Sequence, residues 1–225
     1  MGRTFLIHIR VLYNIQVFKY EVLVLGELQT NCYLLWDEES KEAVVIDAAD
    51  DGVAISEEIE RLQLKLKYIL ATHGHFDHNL GVLDLKLIYN IPYAASQKDL
   101  FLLKRQQETA KHFLKMEIKV PNLKKIDVDL DQRDEIEVGG KKIKIIKTPG
   151  HTPGGLAFLA DNLLFSGDII FAEGMRGQTS YGYSSSKEIY ESIDKVLCLP
   201  EYTEILPGHG EETTVGEARE FVKKT

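Results

Sequence analysis

Residues 72–78 read THGHFDH, and this stretch decides the fold. It follows KYILA at residues 67–71, a short apolar run of the kind that forms a buried strand. A loop that is anchored on a rigid strand can direct several side chains to one point, as metal sites require. The loop carries imidazole and carboxylate groups on His73, His75, Asp77 and His78.

Three further segments rich in Gly or Pro carry side chains of the same kind. They read TPGHTPGG at 148–155, FSGD at 165–168 and LPGHG at 206–210. Each follows a predicted strand, and together they add His151, Asp168 and His209. Seven donors are too many for one tetrahedral ion and indicate two metals, since ions about 3.5–4 Å apart can share a hydroxide.

The chemistry of the donors limits the metal. Imidazole and carboxylate without thiolate suit zinc, iron or manganese. We expect two divalent ions, zinc first, with iron or manganese as the alternatives. Cys32 and Cys198 lie far apart without ligand spacing, which favours two small buried side chains in a reducing compartment.

The composition is that of an ordinary globular protein. The 225 residues are 44% hydrophobic and carry a net charge of −8. We expect one domain over residues 1–225, with residues 1–16 as an N-terminal extension, and a cytoplasmic location. Neither a Lys/Arg-rich stripe nor an apolar run of roughly 18–20 residues is present, so we expect no nucleic-acid partner and no membrane. The sequence does not fix the oligomeric state.

Hydrophobic periodicity predicts a mixed α+β architecture. Strands are predicted at 17–25, 31–36, 43–47, 67–71, 91–95, 135–138, 142–147, 155–159, 162–165 and 204–206. Helices are predicted at 52–62, 80–89, 96–116, 187–199 and 217–224. The first three strands should form a meander, and the Gly139-Gly140 pair should close a hairpin.

The four motifs, in this order and at these separations, resemble those of the metallo-β-lactamase superfamily. The resemblance runs from about residue 21 to residue 219 and implies a four-layer αββα sandwich. By motif position, it implies that His73, His75 and His151 hold a first metal. It further implies that Asp77, His78 and His209 hold a second metal and that Asp168 bridges the two.

With Asp at position 77, the first motif resembles that of the glyoxalase II, or hydroxyacylglutathione hydrolase, branch more than that of the true β-lactamases. The resemblance implies a metal-dependent hydrolase of small thioesters that uses a metal-bridging hydroxide, with Asp77 and Asp168 as catalytic carboxylates. Classical glyoxalase II continues after its last His ligand into a helical domain that helps to hold glutathione. Here only a short tail follows His209.

The segment 172–185 is the expected source of substrate contacts. Arg176, Tyr181 and Tyr183 offer one charge and two amphipathic rings to a carboxylated thiol carrier. Three other functions remain as alternatives. They are a mononuclear-iron persulfide dioxygenase, a lactonase and a non-catalytic metal-binding module.

Overall fold

The structure is a computed structural model that describes residues 18–222. The expected N-terminal extension, residues 1–16, lies outside the described residues, as do the first position of the predicted first strand and the last two of the predicted closing helix. Two six-stranded sheets form the centre of the fold. No helix in the described part of the chain is long and apolar enough to cross a membrane.

The first half of the chain builds the first sheet, in the order β1-β2-β3-β4-β5-β6. Its strands are β1 (Phe18–Leu25), β2 (Thr30–Asp37), β3 (Glu42–Ile46), β4 (Lys65–Leu70), β5 (Tyr93–Ala95) and β6 (Val128–Asp129). The first three are antiparallel, which confirms the predicted meander, and β3 to β6 are parallel. Helices α1 (Gly52–Arg61) and α2 (Val82–Tyr89) lie in the connections between the parallel strands β3, β4 and β5.

The second half builds the other sheet, in the order β12-β11-β10-β9-β8-β7. Its strands are β7 (Glu135–Val138), β8 (Lys141–Lys147), β9 (Leu156–Ala160), β10 (Leu163–Gly167), β11 (Glu204–Pro207) and β12 (Thr213–Thr214). The predicted hairpin turn is present, because Gly139 and Gly140 both have positive φ, at 59° and 73°. Helix α5 (Ser186–Leu197) connects the parallel pair β10 and β11, and α6 (Val215–Val222) follows β12.

Three separate cores show how these layers are stacked. Alternate residues of β3 face opposite ways: Val45 packs with Ile55 of α1, whereas Val44 packs with Phe158 of the second sheet. On the far side, Ile205 of β11 packs with residues of α5 and α6. A helix layer, two sheets and a second helix layer follow one another, which confirms the predicted αββα sandwich.

The predicted helix over 96–116 is wrong as one element. It is divided into a turn at Gln97–Asp99, α3 (Leu100–Leu103) and α4 (Gln106–Leu114). The helix is broken because its two halves pack in different places. Leu103 lies in the core that contains Val45 and Ile55, whereas Ala110 packs with Phe76 in a separate small cluster.

The structure also differs from the sequence prediction at two short strands and at one cysteine. Strands β6 and β12 were not predicted, since two residues leave no periodic pattern. Cys32 is buried as expected, but Cys198 is exposed. It follows the last turn of α5 and lies outside the buried face of that helix, which carries Ile189, Ile193 and Val196.

A buried ion pair joins the two sheets at the end of β2. Lys141 Nζ lies 2.7 Å from Asp37 Oδ1, and Ser40 donates two hydrogen bonds to Asp37 Oδ2. Lys141 and Ser40 together lower the pKa of Asp37 from 3.8 to about 2. The stabilisation is therefore complete above about pH 4 and is lost as the pH falls through 2.

We predict that Asp37→Asn lowers the free energy of unfolding at pH 7 by about 1 to 3 kcal/mol, because charge-assisted hydrogen bonds are lost. Denaturant titrations at pH 7 and pH 2.5 measure the effect, which should shrink at the lower pH. The control Asp194→Asn, on the exposed face of α5, should change the stability by less than about 0.5 kcal/mol. Equal stability of the parent protein and Asp37→Asn at pH 7 would disprove the role of this pair.

Candidate metal centre

All seven predicted donors lie where strand ends of the two sheets meet. The loop after β4 carries four of them, and the segments after β8, β10 and β11 carry one each. The backbone joins the two sheets at this edge, because Asn31 N donates to Gly208 O over 2.8 Å. The sheets therefore fix the distance between the donor loops.

His73, His75 and His151 form a first trio. His75 Nδ1 lies 3.1 Å from His73 Nε2 and 3.0 Å from His151 Nε2. The three nitrogens thus face one common point and could hold one metal ion.

Asp77, His78 and His209 form a second trio beside it. Asp77 Oδ2 lies 3.5 Å from His78 Nε2 and 3.3 Å from His209 Nε2, and the two nitrogens are 3.3 Å apart. Thr30 Oγ1 donates to Asp77 Oδ2 over 3.1 Å and holds this carboxylate in place. This trio could hold a second ion.

Asp168 lies between the two trios. Its Oδ2 is 3.6 Å from His151 Nε2 and 3.6 Å from His209 Nε2, and its Oδ1 is 3.5 Å from His78 Nε2. Oδ1 is buried and has no hydrogen bond among the described residues. A buried carboxylate oxygen without a donor is costly, and a bound cation removes that cost. The donor set could therefore hold two divalent ions, one at each trio, with Asp168 within reach of both.

Backbone carbonyls fix the tautomers of two of the imidazoles. His151 Nδ1 donates to Gln178 O over 2.8 Å, and His209 Nδ1 donates to Leu28 O over 3.0 Å. Because a carbonyl oxygen only accepts, the proton lies on Nδ1 in both rings. The Nε2 atoms that face the centre are left with free lone pairs, as metal ligands need.

Asp47 fixes two more imidazoles. It accepts hydrogen bonds from His78 Nδ1 over 2.9 Å and from the backbone N and Oγ1 of Thr72, each over 2.7 Å. Having donated to Asp47, the Thr72 hydroxyl accepts from His73 Nδ1 over 3.0 Å. No motif in the sequence indicates this role of Asp47. The available signal was an acidic residue at the buried end of the AVVID strand.

Asp99 ties the first donor loop to the loop of His151. Its carboxylate accepts from Gly74 N over 2.9 Å, Gly154 N over 2.7 Å and Thr152 Oγ1 over 2.7 Å. Burial raises the pKa of Asp99, although these hydrogen bonds act in the opposite direction. Nothing in the local sequence marked this residue, which lies inside the predicted helix over 96–116.

The electrostatic field at the centre favours positive charge, although burial keeps individual rings neutral. Burial, together with His151, lowers the pKa of His75 to about 3, so its ring is neutral at pH 7. The pKa of Asp77 is lowered, because the imidazoles around it, His78 first, outweigh its burial. Burial acts to lower the pKa of His78, but Asp77, Asp47 and Asp168 raise it to about 10. The potential at His78 is thus strongly attractive to a cation.

Gly208 makes close packing around Asp168 possible. A Cβ at this position would lie 2.3 Å from Asp168 Oδ1 and 2.6 Å from His78 Cε1. No larger residue fits without displacing a donor, which explains the glycine before His209 in the LPGHG motif.

A cavity of about 220 Å³ opens onto the donors. The three predicted substrate residues, Arg176, Tyr181 and Tyr183, all line it. Tyr183 also holds a donor, because its hydroxyl lies 2.9 Å from His75 Nε2. Arg176 lies over the ring of Tyr190, with its guanidinium carbon 4.7 Å from the ring centre.

Comparison with known proteins identifies the class. The model of the metallo-beta-lactamase superfamily matches residues 25–209, which confirms the resemblance predicted from the four motifs. This chain belongs to that superfamily.

Its relatives include both hydrolases and metal-bound structures. It is 33% identical over 206 residues to the hydroxyacylglutathione hydrolase GloC of Haemophilus influenzae, covering 88% of this chain and 94% of that protein. The crystal structure of the BLEG-1 B3 metallo-beta-lactamase is 30% identical, with a TM-score of 0.83 over 90% of this chain and 97% of that one. TTHA1623 in a di-iron-bound form is 29% identical, with a TM-score of 0.78 over 88% and 96%.

We predict that Asp47→Asn weakens zinc binding at the second trio by about 10- to 100-fold, because an amide no longer secures the Nδ1 proton of His78. Titration of the metal-free protein with zinc against a competing chelator measures the affinity. The control Asp134→Asn, at an exposed position, should bind zinc as the parent protein does. Unchanged affinity in Asp47→Asn would show that Asp47 does not orient a ligand.

Proposed function

We propose that this member of the metallo-beta-lactamase superfamily hydrolyses thioesters, and that its seven donors hold two divalent ions. The observation that carries the proposal is the position of Asp168, which has an oxygen within 4 Å of imidazoles in both trios. Zinc is the expected metal, with iron or manganese as alternatives, because this donor set accepts each of them. The name of the relative GloC supports a thioester of glutathione as substrate.

Two divalent ions held by these residues would supply a hydroxide nucleophile at neutral pH and positive charge for the developing oxyanion. The residues of the chain supply the geometry. Asp168 reaches both trios and sets the distance between them, and the ionised Asp77 adds a second negative charge beside His209. Asp47, Leu28 and Gln178 keep ring protons away from the ligating nitrogens.

Thioester cleavage suits the groups that surround this cavity. Its polar lining includes Asp77, Asp168 and three of the histidines, all of them proposed ligands. A thiolate, with a free pKa of about 8.5, is a good leaving group that needs little help from a general acid. Tyr181 and Tyr183 also line the cavity, and their hydroxyls stay protonated because burial raises the pKa of both.

The wall of the cavity gives a place for a charged thiol carrier. The guanidinium of Arg176 lines the cavity, where it can meet a carboxylate of the substrate. The hydroxyl of Tyr181 donates to Gln178 Oε1 over 3.2 Å, and the ring of Tyr181 offers a face to the substrate. We propose Arg176 and the two tyrosines as substrate contacts.

Metal analysis combined with a substrate panel tests the function. We expect about two metal ions per chain, turnover of S-lactoylglutathione and loss of turnover on chelation. Asp168→Asn should lower kcat by several orders of magnitude and release the ion of the second trio, because the shared carboxylate charge is gone. Asp194→Asn, which is exposed on α5, should match the parent protein in both measurements.

The contrary outcomes are distinct. One iron per chain and oxygen uptake with glutathione persulfide, without thioester turnover, would favour the dioxygenase. Turnover of a lactone or a β-lactam in place of thioesters would assign a different hydrolase. Metal binding without any turnover would leave a binding module.

We further predict that Arg176→Glu raises KM about tenfold for glutathione thioesters and much less for neutral thioesters, because attraction to the carboxylates becomes repulsion. Steady-state kinetics at low and high salt measure the difference, which should shrink at high salt. Lys124→Glu makes the same charge change at an exposed position outside the cavity and should leave KM unchanged. An equal rise in KM for both substrates would exclude charge recognition by Arg176.

A further inference from the structure

A second cavity, of about 430 Å³, adjoins the one above the donors. The two share Thr109, Phe113, Tyr181 and Tyr183, so that they form one continuous depression. We call the second cavity the aromatic groove. It is defined by Phe101, Arg105, His112, Phe113, Tyr181 and Tyr183.

Four rings form an unbroken wall along the groove. Tyr181 and Tyr183 are stacked with centroids 5.3 Å apart, Phe101 contacts Tyr183 at 5.5 Å, and Phe113 contacts Tyr181 at 6.3 Å. The two tyrosines in the middle of the wall reach the donors, because the rings of Tyr181 and Tyr183 lie 5.6 Å and 6.1 Å from His75. An extended molecule with its reacting group at the donors would therefore lie along these rings.

The rings at the two ends of the wall are open to solvent. Phe101 is 40% exposed and Phe113 is 46% exposed, and neither belongs to a buried core. A concave group of large apolar side chains beside a reactive centre is typical of a ligand site. Covering these rings would remove apolar surface from water, which stabilises a bound apolar group.

The charges along the depression distinguish the side that suits a carboxylated thiol carrier from the side that suits an uncharged acyl group. Arg176 lines the cavity above the donors but not the groove, whereas the groove has Arg105 and Glu108, which balance each other. A carboxylated thiol carrier is therefore attracted to the Arg176 side. The groove is left for the other half of the thioester, the acyl group.

We propose that the aromatic groove binds the acyl group, and that the preferred substrates carry an apolar acyl group, aromatic or alkyl, larger than lactoyl. This rests on the proposed thioesterase function. The reaction is the same for every acyl group: water adds to the carbonyl carbon, the C–S bond breaks, and a carboxylic acid and a thiol are released. The groove changes only how tightly the acyl group is held.

Binding of thioethers tests the groove without any turnover. S-hexylglutathione and S-methylglutathione cannot be hydrolysed, and their alkyl groups take the position of the acyl group. By calorimetry we expect the hexyl compound to bind at least about tenfold more tightly than the methyl compound. Phe113→Ala should remove most of that gain, whereas Tyr202→Ala, an exposed aromatic residue that lines neither cavity, should keep it.

Kinetics complete the test. Across lactoyl, hexanoyl and phenylacetyl thioesters of glutathione, kcat/KM should rise with the apolar size of the acyl group, and Phe101→Ala or Phe113→Ala should flatten the series. Equal affinity for the two thioethers, or an equal loss for both in Phe113→Ala, would overturn the proposal. A gain in thioether affinity without thioester hydrolysis would refute the proposed function but keep the groove, so that the two failures are distinguishable.

Discussion

Neutral imidazoles that turn their free lone pairs towards each other are the constraint on which this structure depends. Ring nitrogens of His73, His75 and His151 face one another at 3.0 to 3.1 Å, an arrangement that repels itself unless a cation lies at the common point. Each ring must therefore be held from behind. In the two trios, Asp47 holds His78, and the carbonyls of Gln178 and Leu28 hold His151 and His209. These acceptors come from separate parts of the chain.

The αββα sandwich brings these acceptors and donors to one edge of the two sheets. Four strands from two sheets end there, and the hydrogen bond from Asn31 to Gly208 joins the sheets next to the donors. Asp99 then connects two donor loops through a single buried carboxylate. Because every one of these links crosses between elements distant in sequence, ion binding and the packing of the two sheets support each other.

The sequence was informative where chemistry is concentrated in short motifs and where periodicity is long. The motif loops with His73 and His151, and strands such as β2 and β8, could be predicted from local patterns. The role of the supporting residues could not, because neither the place of Asp47 at the end of a buried strand nor the helical pattern around Asp99 shows that the fold puts these carboxylates behind the donors. The break before α4 could not be predicted either, because it results from packing against two different clusters and not from a local sequence signal. The ring contact between Phe113 and Tyr181 joins residues far apart in the chain.

Helix α4 contributes Phe113 to the aromatic wall but none of the seven donors, and it packs against the donor loop through the Phe76 cluster. The strand ends that carry the donors and the aromatic wall are thus encoded by different stretches of the gene. Mutations in α4 can alter the contour of the wall while the strand ends that carry the donors keep their spacing. A lineage with this layout can change the ligand that fits the wall through a few surface substitutions, while its donors stay in place.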